Sequence, residues 1–152
     1  MGRATQRFSR INIDKTADNA AAVLSDYPRR RAMASRWSLS LQSPQITGMP
    51  RSDSYGNKAE EQITRHVDDQ QFVKKCEVIV REIMPDVAQD ENWAKILDYY
   101  YMKQLGTDEV IMDRLGYSHS AYYYAKKQAL CAFAEVWPPF PNELLVFNQR
   151  NS

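Results

Sequence analysis

Apolar positions along the chain recur three and four residues apart over most of its length and almost nowhere alternate, so the pattern is that of helices. In the first segment Ala20, Leu24 and Tyr27 keep this spacing, and Asp14 or Thr16 can cap a helix that begins near Ala17. Pro28 cannot continue the hydrogen-bond ladder, which predicts a kink or break there; Ala32, Met33 and Trp37 then resume the period. Residues 43–56 contain two prolines and two glycines without a period and read as a loop. Asn57 with Glu60 has the form of a capping box, opening a helix over residues 58–84. Its stripe runs through Ala59, Ile63 and Val67, lapses at Gln70 and Gln71, and resumes as Phe72, Val73, Cys76, Ile79, Val80 and Ile83, until Pro85 ends it. Asp90 can cap a third helix carrying Trp93, Ile96, Leu97, Tyr100 and Tyr101 on one side.

The last third holds the most informative pattern. Thr107 is placed to cap a short helix over residues 108–115, with Asp108 and Glu109 suiting its dipole. Gly116 sits where a C-terminal cap needs positive φ, and Ser118 caps a second helix running to about Val136. Trp137-Pro138-Pro139-Phe140-Pro141 stops that helix. Two helices joined by Leu115-Gly116-Tyr117-Ser118 have the sequence form of a helix-turn-helix. Val110, Ile111 and Leu115 of the first, and Tyr122, Ala125, Ala129, Ala132 and Phe133 of the second, are the expected core. Ser118, His119, Ser120, Tyr123, Tyr124 and Lys127 then face outward, with Lys126 at the flank. Short donors at the start of such a helix can approach base edges of double-stranded DNA, while Lys and Tyr reach phosphates. An ordinary helical hairpin in a bundle is the competing explanation.

Charge changes this picture. The total of 20 basic and 19 acidic residues is nearly neutral. Residues 1–42, however, carry eight Lys/Arg and three Asp/Glu, a net +5, leaving −4 for the rest. Residues 106–137 carry three basic and four acidic groups, so the outward helix needs positive charge from elsewhere. Arg29, Arg30, Arg31 and Arg36 are the expected secondary phosphate contacts, against the common alternative of a solvated charged face.

Four patches carry a family resemblance: Ile13-Asp14-Lys15-Thr16 with Asn19 and Val23-Leu24; Ser43-Pro44 with Gly48-Met49-Pro50-Arg51; Asn57 with Glu60; and residues 118–134, including Tyr122-Tyr123, Lys126 and Ala129-Leu130. In this order the chain resembles the ArpU/RinA-type phage transcriptional regulators. Asp108-Glu109-Val110-Ile111, Leu115-Gly116-Tyr117-Ser118 and Gln128-Ala129-Leu130 also resemble the C-terminal helix-turn-helix of bacterial sigma factors. The resemblance implies a regulator of phage or prophage late genes for packaging, morphogenesis or lysis, acting on promoter DNA and alongside host RNA polymerase. Pro28, Met112 and the His119-Ser120 pair depart from these patterns, so the DNA sequence read does not carry over. A small terminase-like packaging subunit is the alternative, since those also pair a helix-turn-helix with a long helix.

The expected fold is all-α: a helical bundle with a long central helix and a C-terminal sigma-like helix-turn-helix. The expected units are a basic N-terminal region over 1–56 with a mobile arm over 1–13, the central helix and its successor over 57–105, the helix-turn-helix over 106–137, and a ragged tail over 138–152. No catalytic residue, cofactor or metal is expected. His66 and His119 lack ligand spacing to each other or to a cysteine, and a cap accounts for Ser118 beside His119. His66 reads as a surface or boundary residue, Cys76 as a small core residue, and Cys131 has no assigned role. No apolar run approaches the ~20 residues that span a bilayer, and two lone cysteines suit a reduced compartment, so a cytoplasmic protein is expected, with a homo-oligomer possible.

Overall fold

A computed structural model of the chain describes residues 8–41, 53–138 and 143–148. Every regular element among them is helical: α1 (Ile13–Ser25), α2 (Tyr27–Leu41), α3 (Asp53–Val78), α4 (Met84–Val87), α5 (Asn92–Leu97), α6 (Asp108–Leu115) and α7 (His119–Val136). Two π-helical segments, Ile79–Ile83 and Asp98–Met102, join α3 to α4 and prolong α5. The all-α expectation therefore holds.

Several expected boundaries move, each for a local reason. α1 starts earlier than the apolar spacing predicts, because Asn12 caps it: its Oδ1 accepts from the Lys15 amide at 3.0 Å. Asp14 lies in the first turn instead, and Thr16 is buried and bonded elsewhere. α1 ends at Asp26, and Pro28 falls in the first turn of α2, where an amide has no helical partner to lose. α3 already begins at Asp53, so Asn57 and Glu60 do not form its start and residues 53–56 are helix rather than loop. A glycine inside a helix costs only about 1 kcal/mol, so Gly56 does not stop it. The remainder of the expected loop, residues 43–52, lies outside the described residues.

Pro85 does not end the long helix. The π segment widens the ladder by one residue, so that Met84 donates to the Ile79 carbonyl five residues back. Pro85 then falls at the start of α4, where its missing amide is harmless.

α7 runs through the core. Tyr122, Ala125, Ala129, Ala132 and Phe133 are all buried, as their spacing predicts. They pack on Ala17, Ala20 and Leu24 of α1 and on Trp93, Ile96 and Leu97 of α5. Cys131 belongs to this core too, with its thiol 3.5 Å from the Ile13 carbonyl oxygen. Burial pushes the Cys76 and Cys131 thiols up to about 12.

Residues 8–12 close against residues 144–148; the rest of the expected arm and tail, residues 1–7, 139–142 and 149–152, lies outside the described residues. Phe8 and Ile11 are buried, and Ile11 pairs with Phe147 in an isolated antiparallel bridge. The Asn12 amide donates to the Val146 carbonyl at 2.6 Å, and the Asn148 amide to that of Arg10 at 2.9 Å. Thr16 accepts from the Val146 amide at 3.0 Å, and Asn19 donates to the Leu144 carbonyl at 3.1 Å.

α2 and α3 form an antiparallel hairpin. Tyr27 donates to Glu77 at 3.0 Å, Arg30 bonds Asp69, and the Arg30 guanidinium lies 4.4 Å above the Phe72 ring. His66 is buried in this hairpin region rather than at the surface. The expected apolar stripe is only half used: Cys76, Ile79 and Val80 are buried, but Ala59, Ile63 and Val67 are exposed.

Candidate nucleic-acid interface

The connection between α6 and α7 is set by backbone conformation. Gly116 takes φ +77, a left-handed value that a Cβ strains, and no atom lies within 4 Å of where that Cβ would be. Its amide donates to Asp113 and the Tyr117 amide to Met112, the paired bonds of a Schellman termination. Ser118 then caps α7, its hydroxyl accepting from the Ala121 amide at 3.4 Å. Thr107 occupies the cap position of α6, but its side chain makes no capping bond.

Packing between the two helices departs from the expected pattern at one residue. Ile111 is buried, but Val110 is exposed and Met112 is buried instead. Successive residues turn by about 100° on a helix, so the face that holds Ile111, Met112 and Leu115 leaves Val110 outside.

A polar clamp fixes the angle of α7. The Asp108 carboxylate accepts from the Tyr122 hydroxyl at 2.6 Å and from Lys126 Nζ at 2.8 Å. The same ammonium lies 3.6 Å from the Tyr100 ring centroid. Tyr100 and Tyr101 belong to the π segment that prolongs α5, so the clamp ties three elements together. Burial and the bond to Asp108 push the Tyr122 hydroxyl well above its ordinary value. Lys126, expected at the flank of the outward face, is thus held in the seam with 13% of its side chain exposed.

The rest of the expected reading face is exposed together. Ser118, His119, Ser120, Tyr123, Tyr124 and Lys127 all lie at the surface along the first three turns of α7. His119 packs at a tilt against Tyr123, 4.8 Å between centroids, and Tyr123 packs edge-on to Tyr122. Lys127 reaches Asp14 of α1 at 2.6 Å, and this bond raises the lysine above its ordinary value. Both side chains of that pair are largely exposed, so it holds little energy and exchanges readily.

The four arginines differ in their surroundings. Arg29 grips Asp26 with two bonds, at 2.9 and 3.2 Å, and this holds the Asp26 carboxyl below the usual carboxylate range. Arg30 is bound to Asp69 and lies 3.7 Å from Asp26. Arg31 and Arg36 are exposed. The start of α2 lies near α7: Pro28 and Tyr123 line one open cleft of about 440 Å³, with Tyr100, Tyr101 and Glu109.

Sequence reasoning missed Asp14 and Asp108 as partners of the two lysines. Asp14 lies 113 residues from Lys127 and Asp108 lies 18 from Lys126, so no periodic signal links them. In the sequence Asp14 is legible only as a candidate helix cap and Asp108 only as a dipole complement. Among the described residues, no three His, Cys, Asp or Glu side chains gather as a metal-ligand set, and no helix is long and apolar enough to cross a membrane.

No protein-family model matches the chain, and no solved structure matches it. Among curated proteins it is similar to one from Enterococcus hirae named "Putative autolysin regulatory protein ArpU". The two are 29% identical over 133 residues, covering 87% of this chain and 93% of that protein. The similarity therefore extends far beyond the α6–α7 unit, over nearly the whole length of both chains.

Proposed function

We propose that the chain is a DNA-binding regulator of transcription in which α6 and α7 act as a helix-turn-helix and α7 enters the major groove. The observation that carries this reading is the joint exposure of Ser118, His119, Ser120, Tyr123, Tyr124 and Lys127 on a helix whose angle is fixed by Gly116 and the Asp108 clamp. Ser118, His119 and Ser120 are short enough to approach base edges, and Tyr123, Tyr124 and Lys127 reach phosphates. Lys126 reads no DNA while it is clamped; Arg31 and Arg36 supply long-range attraction, with Arg29 and Arg30 contributing when phosphate displaces their carboxylates. The similarity to a protein named as a regulator supports a regulatory rather than a catalytic role. The resemblance to phage regulators points to late-gene promoters in a bacterial host's cytoplasm, with host RNA polymerase as the second partner.

Selection of bound fragments from the native genome tests the reading, followed by duplex titration at fixed salt. Enrichment of sites upstream of one operon supports it, and fragments without sequence preference overturn it. Tyr123→Ala and Lys127→Ala are expected to weaken binding about tenfold each, in proteins whose helical content is unchanged. Replacing Arg29, Arg30 and Arg31 by Ala is expected to flatten the salt dependence by up to about three charges. Unchanged affinity in the α7 variants would remove α7 as the reader.

A further inference from the structure

We infer that His119 sets the base preference of α7 by donating to the N7 and O6 edge of one guanine in the major groove; this contact rests on α7 entering DNA as proposed. A chain of contacts ends on the His119 ring. Tyr122 is anchored through its hydroxyl to Asp108 at 2.6 Å. Tyr123 packs edge-on to Tyr122, 5.2 Å between centroids, and His119 packs at a tilt against Tyr123 at 4.8 Å. His119 itself is exposed in the first turn of α7. Its ring is therefore presented to solvent from a buried anchor, and a side chain positioned in advance loses less rotamer freedom on binding.

The rest of the exposed face discriminates little among base pairs. Ser118, His119, Ser120, Tyr123, Tyr124 and Lys127 include no Arg, Asn, Gln or acid, the side chains other than Lys that pair specifically with guanine, adenine or cytosine. Lys127 lies about 14 Å along the helix from Ser118, beyond the span of a groove about 12 Å wide, so phosphate is its partner. The Ser118 hydroxyl caps the helix. A hydroxyl both donates and accepts, so Ser118, Ser120 and the two phenols each suit more than one base.

His119 differs in being able to donate from both ring nitrogens. An imidazole brought against phosphates favours its charged form, which has two donors and no acceptor. The titratable groups around the ring pair are Tyr123 itself, Tyr100, Asp108 and Glu109, with Lys126 bound to Asp108. The two carboxylates act in the same direction as phosphate, and Lys126 acts against it. Guanine sets two acceptors, N7 and O6, side by side, whereas adenine sets an amino donor beside N7. A ring that only donates therefore favours guanine over adenine, and does so more strongly as pH falls through the range in which imidazoles titrate.

Selection from a randomised duplex library at fixed salt, read by sequencing, tests this with the full chain. The parent should enrich guanine at one position, about tenfold over adenine at about pH 6 and less at about pH 8. His119→Ala should lose that preference, and His119→Gln should turn it to adenine, whose N6 and N7 a glutamine amide pairs. Preferences elsewhere in the site, the salt dependence of binding and the helical circular dichroism should match the parent. A preference left unchanged in either variant, or equal at the two pH values, would overturn the role of His119 while leaving α7 as the reader. A parent that enriches no sequence would overturn the proposed function itself, and the guanine contact with it.

Discussion

The two ends of this molecule use the same helical spacing to different effect. α7 buries Tyr122, Ala125, Ala129 and Phe133 between α1 and α5, and along its first three turns His119, Ser120, Tyr123, Tyr124 and Lys127 lie exposed. The α3 stripe of the hairpin lapses at Gln70 and Gln71, and its first half meets solvent. Periodicity identifies a face that can be buried. Whether it is buried depends on a second element arriving from elsewhere in the chain. At the α7 end that element is supplied twice, once by α1 and once by α5. At the hairpin end the first half of the α3 stripe meets no such element among the described residues.

The widest test of this contrast is a pair of truncations. Phe133→Ala in α7 should lower the unfolding free energy by about 3–5 kcal/mol in urea, as a large side chain leaves a cavity in a closed core. Ile63→Ala, measured where the chain is monomeric, should change it by less than about 0.5 kcal/mol. Comparable losses at both sites would erase the distinction between the two ends.

A smaller effect is expected at the closure of the chain ends. Thr16→Val keeps the shape of a fully buried side chain but strands the Val146 amide, which should cost about 1–3 kcal/mol. Amide hydrogen exchange should show residues 143–148 losing protection before α7 does. If they remain protected, the clasp is held by Leu144 and the backbone bonds rather than by the threonine.

Alkali should weaken both ends through groups held protonated. Burial and the bond to Glu77 push Tyr27 up from 10.0 to about 12, and burial raises Cys76 and Cys131 from 9.0 to about 12. Each folded value lies above the unfolded one. Their stabilisation is therefore complete below the unfolded values and is lost as pH rises towards about 12. Denaturation midpoints measured across that range should fall steadily, and Tyr27→Phe should fall less steeply than the parent. Neither thiol should react with an aromatic disulfide reagent at neutral pH until the chain unfolds.

The smallest stability change belongs to the exposed pair beside the reading face. Asp14→Ala should alter unfolding by no more than about 1 kcal/mol. On the proposed function it should strengthen duplex binding, since Lys127 is released and one negative charge is removed. Weaker binding would show that the pair positions Lys127 rather than restraining it.

Much of the reading-face geometry was legible in the chain because it is local. Gly116 and Ser118 act on bonds within five residues, and the inward residues of α7 follow from 3.6-residue spacing alone. The boundaries that moved did so through local chemistry with competing solutions. Asn12 caps ahead of Asp14, and a π turn absorbs Pro85. The partners of the lysines were illegible for a different reason. Spacing placed Lys127 on the outward face and Lys126 beside it, but not the carboxylates that reach them from other helices.

The sequence by itself determined that this chain is helical, where α6 stops and α7 starts, and which side of α7 turns inward. These depend on dihedral preferences, caps and periodicity, whose range is a turn or two. Only the tertiary structure decided that residues 8–12 clasp residues 144–148, that Lys126 is held between Asp108 and Tyr100, and that Ile63 and Val67 are exposed. Those outcomes depend on which distant segments arrive at a face, and a one-dimensional pattern carries no distance across the fold.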